Sequence, residues 1–201
     1  IDPDPEFRGT KLAEAVSMAV HESQSRLWEN IVGRSRVFWE RNFLALSALL
    51  GKAGEDLDFK SFIESINRVS PSLIRTEADE VTYGLHIIAR FELESALLDG
   101  NLRVTDVPGA WREKYKQLLG LEVSNDREGC LQDVHWSIGY FGYFPSYALG
   151  NLYAAQFWAK LKEEVPDIEA RIASGDVLSV LTWLRANVHC HGSRYMPGEL
   201  V

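Results

Sequence analysis

Cysteine is scarce in this chain: Cys130 and Cys190 are the only two in 201 residues. That excludes a disulfide framework and fits a reducing compartment, so a cytoplasmic protein is expected. No apolar run reaches the ~18 residues that a membrane span needs, and no signal peptide is visible. Positive charge is also short. Lys and Arg number 21 against 29 Asp and Glu, a formal net charge of −8, which argues against nucleic acid as the main partner. Familiar catalytic signatures are missing too. There is no G-x-S-x-G elbow, no phosphate loop and no dinucleotide glycine pattern. Nor is there an H-E-x-x-H: the histidines are His21, His86, His135, His189 and His191, and none opens that spacing.

What is present has the profile of an ordinary soluble globular protein, 46% hydrophobic and 25% charged. Both ends look unnatural. "IDPDPEF" (1–7) is polar and broken by proline, and reads as an expression scar outside the fold. "YMPGELV" stops after a proline turn, so residues 8–201 are expected to be a piece of something longer.

The apolar periodicity is helical nearly throughout. It predicts helices over 10–32 and 35–50 split at Gly33, and another over 56–69. A long helix is expected from Thr76 to about Leu98, stopped by Gly100, and a further one over 107–120. After an aromatic, glycine-rich stretch comes a helix from about Pro145 to Glu164, then two shorter ones over 166–175 and 176–188. The class is all-α, with room for one short β-hairpin in 121–143.

Four stretches could carry chemistry. Glu22 lies on a helix that is otherwise apolar over most of its surface. It is either an i,i+4 partner of Arg26 or a metal ligand, and a lone glutamate cannot hold a metal. Arg75 stands just before a helix start, where Thr76, Glu77, Ala78 and Asp79 fit a capping box. It either pairs with a nearby acid or, with the positive helix end, receives a carboxylate ligand. In "GCLQDVHWSIGYFGYFPSY" (129–147) six aromatics surround His135. They form a polar core network or the wall of a cleft. "HCHG" (189–192) has a metal-like look, but its spacing is awkward for one tetrahedral ion, and a solvent-facing turn is expected.

Four segments taken together, "HESQSRLWEN" (21–30), "IRTEAD" (74–79), "GCLQDVHW" (129–136) and "FGYFPSYALGNLYAAQ" (141–156), closely resemble the carboxypeptidase Taq family of zinc metallocarboxypeptidases. The similarity runs in order from about Gly9 to Val201. It implies a groove-type, almost wholly helical metallopeptidase fold and the release of C-terminal residues from peptides. The implied zinc, or cobalt, takes Glu22 as one ligand and two histidines of an H-E-x-x-H helix that lies outside this chain. Arg75 is implied as the group that binds the substrate's free C-terminus. His135 and Tyr147 are implied as hydrogen-bond donors to the oxyanion. The resemblance also implies a homodimer. Because this chain lacks H-E-x-x-H, it reads as the C-terminal portion of a longer enzyme, inactive alone. The alternative is a helical binding or dimerisation module without chemistry, which a genuinely short gene would favour.

Overall fold

A computed structural model describes residues 3–200. Among them there are α-helices and short turns of helix but no strand. The α-helices are α1 (Met18–Arg26), α2 (Arg36–Leu50), α3 (Lys52–Glu55), α4 (Phe59–Ile66), α5 (Tyr83–Leu98), α6 (Val107–Leu119), α7 (Pro145–Glu164), α8 (Ile168–Ser174), α9 (Leu178–Asn187) and α10 (Pro197–Leu200). They fall into two compact units. One takes the chain up to Ile66 and again from Leu149 onward; the other is Asn67–Ala148.

The first unit is held by apolar packing. Val20, Leu27 and Val32 meet Ala154, Phe157 and Leu161 of α7, Ile168 and Ile172 of α8, and Val180, Trp183 and Leu184 of α9. Ser17 caps α1, its hydroxyl accepting from the Val20 N–H at 3.1 Å. The helix then widens into a π-turn over Leu27–Val32, closed by Gly33 donating to the Trp28 carbonyl at 2.8 Å. That is the break the sequence marks at Gly33. Ser35 restarts the chain as the cap of α2.

The second unit is built on α5 packed against α6. Its apolar part gathers Ala89 and Leu93 with Trp111, Tyr115 and Leu119, and beside it Ala78, Tyr83, Ile87 and Phe144. Gly120 ends α6 in the left-handed conformation at φ 71°, where the sequence put the end of this helix.

Several boundaries differ from expectation. The first helix begins at Met18, not residue 10, because the chain before it forms a separate turn at Lys11–Ala13 and an extended cap at Ser17. Helix 56–69 is shorter, Phe59–Ile66. The long helix starts at Tyr83 rather than Thr76. Asp79 is the reason. Its carboxylate accepts from the Val81 and Thr82 amides at 2.9 and 2.8 Å and from the Ser70 amide at 3.1 Å. It therefore makes a turn of its own instead of closing a capping box at Thr76. Along α5, Ile88 and Phe91 are exposed, while His86, Arg90 and Glu94 are buried with Ile87 and Leu93. The β-hairpin in 121–143 does not form. Its backbone groups close local turns, such as Leu131 to Asp126 and Tyr140 to His135, and so have no register to offer a second strand.

Candidate active site

The buried side of α5 carries polar groups one turn apart, His86, Arg90 and Glu94, and His86 and Arg90 are 0% exposed. A charged group at this depth needs a partner, and for Arg90 that partner is Asp133. Asp133 sits between two arginines. Its Oδ1 accepts from Arg75 Nε at 3.0 Å and Nη2 at 2.6 Å, and its Oδ2 accepts from Arg90 Nε at 2.7 Å. Gln132 adds a second bridge, its Oε1 accepting from the Arg75 amide at 2.9 Å and from Arg90 Nη2 at 2.8 Å. Burial alone would raise the Asp133 pKa, but the two guanidinium groups outweigh it and hold the carboxyl below its ordinary range.

Arg75 is 6% exposed. Its remaining arm donates to the Tyr83 hydroxyl at 3.1 Å, and its guanidinium lies 4.8 Å from the centre of the Tyr147 ring. Burial opposes its charge, yet Asp133 and Tyr83 more than compensate and raise its pKa. Tyr147, on the first turn of α7, has its hydroxyl 3.1 Å from His135 Nε2. The other nitrogen of His135 is buried with no hydrogen bond among the described residues, 3.8 Å from Asp133 Oδ1. Burial lowers the His135 pKa, with Asp133 pulling the other way and the two arginines adding to the drop. A neutral imidazole is the result, flanked by the Phe144 ring at 4.4 Å and Tyr143 at 5.5 Å. His86, deeper, is pushed down to about 4 by burial and by the charges of Arg90 and Arg75, and its Nδ1 meets the Tyr115 hydroxyl at 3.1 Å.

Three of the expected site residues, Arg75, His135 and Tyr147, therefore form one constellation in the second unit. For Arg75, the simpler alternative of an acid partner is also realised, in Asp133. Reasoning from the sequence missed Asp133, Gln132, Arg90 and Tyr83 as parts of it. The signal was available: His86, Arg90 and Glu94 repeat every four residues on an apolar helix, and Gln132 and Asp133 lie inside a quoted motif.

Glu22 belongs to the first unit. Its side chain is 15% exposed and Oε1 accepts from Arg26 Nε at 3.1 Å, the i,i+4 pair that the spacing offers. Gly150 of α7 lies so close that an added Cβ would meet Glu22 Cγ at 2.9 Å. The carboxylate is thus largely covered, held between Arg26 and the backbone of α7. No group of three or more His, Cys, Asp or Glu side chains that could hold a metal occurs among the described residues. The 189–192 segment is a turn, as expected, with His189 half-buried and its Nε2 2.9 Å from Gln24 Oε1 on α1. The cysteines are both free, and no helix among the described residues is long and apolar enough to cross a membrane.

The buried arginine–aspartate clamp thus lies beside His135 and Tyr147 in one unit, and comparison with known proteins gives the chain a family. The carboxypeptidase Taq (M32) metallopeptidase family matches residues 2–201. The chain belongs to that family. It is 52% identical over 196 residues to thermostable carboxypeptidase 1 of Thermus thermophilus, covering 98% of this chain and 38% of that protein. It is 42% identical over 198 residues to carboxypeptidase 1 of Bacillus subtilis, covering 98% of this chain and 40% of that one. The crystal structure of the M32 carboxypeptidase from Deinococcus radiodurans superposes with a TM-score of 0.92 at 47% identity, over 99% of this chain and 40% of that structure. The chain thus spans about 40% of the length of the relatives it matches.

Proposed function

We propose that this chain is the C-terminal part of a metal-dependent carboxypeptidase that releases residues from peptides with a free C-terminus. The observation that carries the reading is the His135–Tyr147 hydrogen bond at 3.1 Å set against the buried Arg75–Asp133 pair, in a chain that belongs to a metallopeptidase family.

Each residue has a role that its surroundings support. Arg75 receives the substrate's terminal carboxylate. Its bonds to Asp133 and Tyr83 fix the guanidinium in one orientation, and a guanidinium has more N–H donors than these bonds use. With Arg90 also present and one aspartate between them, the cluster keeps an excess of positive charge for an anionic group. Tyr147 and His135 stabilise the oxyanion of the tetrahedral intermediate, Tyr147 donating its hydroxyl and His135 donating in turn to the Tyr147 oxygen. Donors fixed beforehand in a water-poor site are each worth about 2.7–4 kcal/mol of barrier. His135 can act as a donor while neutral, because burial holds its pKa down. Glu22 is one ligand of a divalent metal, zinc or cobalt, whose two histidine ligands come from an H-E-x-x-H segment outside this chain. When bound, such a metal polarises the scissile carbonyl and acidifies the attacking water. The working form is a cytoplasmic homodimer, in keeping with two free cysteines.

The test is an assay of the longer protein, with the H-E-x-x-H segment, on an N-blocked dipeptide and on its C-terminal amide. The free acid should be hydrolysed and the amide spared, and a chelator should abolish turnover. Equal cleavage of both would remove Arg75 from its role. Robust hydrolysis by residues 1–201 alone would show that the metal site needs nothing beyond this chain, against the proposal. An upstream reading frame with no H-E-x-x-H would favour the non-catalytic binding module.

A further inference from the structure

Glu94 takes no part in the chemistry above, yet its carboxylate is buried, 4% exposed, on α5. Its partners are N–H groups of one loop. Oε2 accepts the indole N–H of Trp136 at 2.6 Å, and Oε1 accepts the backbone N–H of Gly142. The loop between those donors closes on itself near its start, through a turn of 3-10 helix at Trp136–Ile138 and the Tyr140 amide donating to the His135 carbonyl at 2.8 Å, while Gly139 and Gly142 both take positive φ, 82° and 80°. It also exposes Ile138, Tyr140 and Phe141. Those rings are not isolated. Tyr140 stacks on Tyr143 at 5.9 Å, and Tyr143 stands edge-on to Tyr147 at 5.3 Å and lies 5.5 Å from His135. A buried carboxylate is costly unless its lone pairs are satisfied. Here both oxygens are satisfied, one at each end of the loop.

We infer that Glu94 is a positioning residue. It ties the 136–142 loop to α5 so that Tyr140 and Tyr143 form an aromatic wall leading to His135 and Tyr147, and this wall binds apolar side chains of the peptide substrate. The substrate role rests on the proposed function; the tethering of the loop does not.

Two experiments separate them. On residues 1–201, hydrogen exchange of the 139–143 amides should speed up in Glu94→Gln, while α6 amides keep their rates. Gln retains the shape but sets an NH2 against one of the two donors. In the longer protein, Glu94→Gln should raise KM about tenfold, the effect of losing roughly one hydrogen bond's worth of binding, for peptides with Phe next to the scissile bond. Peptides with Gly there should be unaffected, and kcat should stay within about twofold for both, since removed uniform binding acts on KM alone. Tyr140→Ala, which leaves Glu94 in place, should give the same selective rise in KM and serves if Glu94→Gln does not fold. A merely structural Glu94 would lower the active fraction, and so kcat, for both peptides alike with KM unchanged; that result overturns the substrate role. Unchanged exchange in Glu94→Gln overturns the tether itself. A wild-type longer protein that hydrolyses neither peptide overturns the proposed function and the substrate role together, while the exchange result still decides the tether.

Discussion

The two units bury opposite kinds of side chain. The first has an interior of Val, Leu, Ile, Phe and Trp, in which Leu161, Ile168 and Leu184 are fully enclosed. The second encloses Arg75, Arg90, Asp133, His86 and Glu94 among its aromatics. Apolar burial is non-directional and forgiving. A buried ionic network is neither. It adds little to stability relative to an apolar replacement, and it is severely disrupted by loss of one member. What it supplies is orientation: Arg75 and Arg90 hold their geometry because Asp133 and Gln132 bind both of them. The difference teaches that the second unit gives up robustness for placement of charge.

The largest expected effect breaks that network. Asp133→Asn leaves two buried guanidinium groups sharing no anion, and should destabilise the chain by about 3–5 kcal/mol. Near-UV dichroism from the neighbouring Trp111 and Trp136 in a urea titration would show it. A loss under ~1 kcal/mol would mean the pairs are solvated like surface ones. In the apolar unit, Leu161→Ala should cost about 2–5 kcal/mol by leaving a cavity, and the cost should be the same at low and high salt. A strong salt dependence would erase the contrast between the units.

Acid should strike the second unit next. His86 is held near 4 when folded, whereas an unfolded histidine titrates near ~6.5. The unfolded chain therefore takes a proton that the folded chain refuses. Stability from this group is complete above pH ~6.5 and falls as pH drops toward about 4, by roughly 3 kcal/mol over the full shift. Asp133, also depressed, holds its contribution to lower pH, losing it only below the ordinary aspartate range near ~3.9. Urea midpoints between pH 7.5 and 4.5 should slope accordingly, and His86→Leu should flatten the slope. A slope unchanged by that substitution would place the acid sensitivity elsewhere. The smallest effect tests the fit at Glu22: Gly150→Ala should cost about 1–3 kcal/mol, because the new methyl group meets Glu22 Cβ and Cγ at 3.0 and 2.9 Å. A neutral result in thermal melts would show that Glu22 moves aside freely.

Much of this was legible in the sequence. Helical periodicity places α2, α6, α7 and α9, and Gly33 and Gly120 mark their punctuation. Ordered motifs single out Glu22, Arg75, His135 and Tyr147. What was not legible depends on contacts distant in the chain. Nothing local says that Asp79 folds back on Ser70 and delays α5, or that Asp133 reaches both Arg75 and Arg90 across 58 and 43 residues. A stripe of His86, Arg90 and Glu94 also looks solvent-facing until its partners, Tyr115, Asp133 and Trp136, are known.

The most direct test is the metal content of the longer protein with Glu22 and with Glu22→Gln, read by elemental analysis after dialysis. With Glu22 the protein should retain about one divalent ion per chain, and the Gln variant should lose it while keeping its helical dichroism, the outcome expected of a carboxylate that ligates the metal directly. Full retention by the Gln variant, with unchanged affinity, would contradict the account.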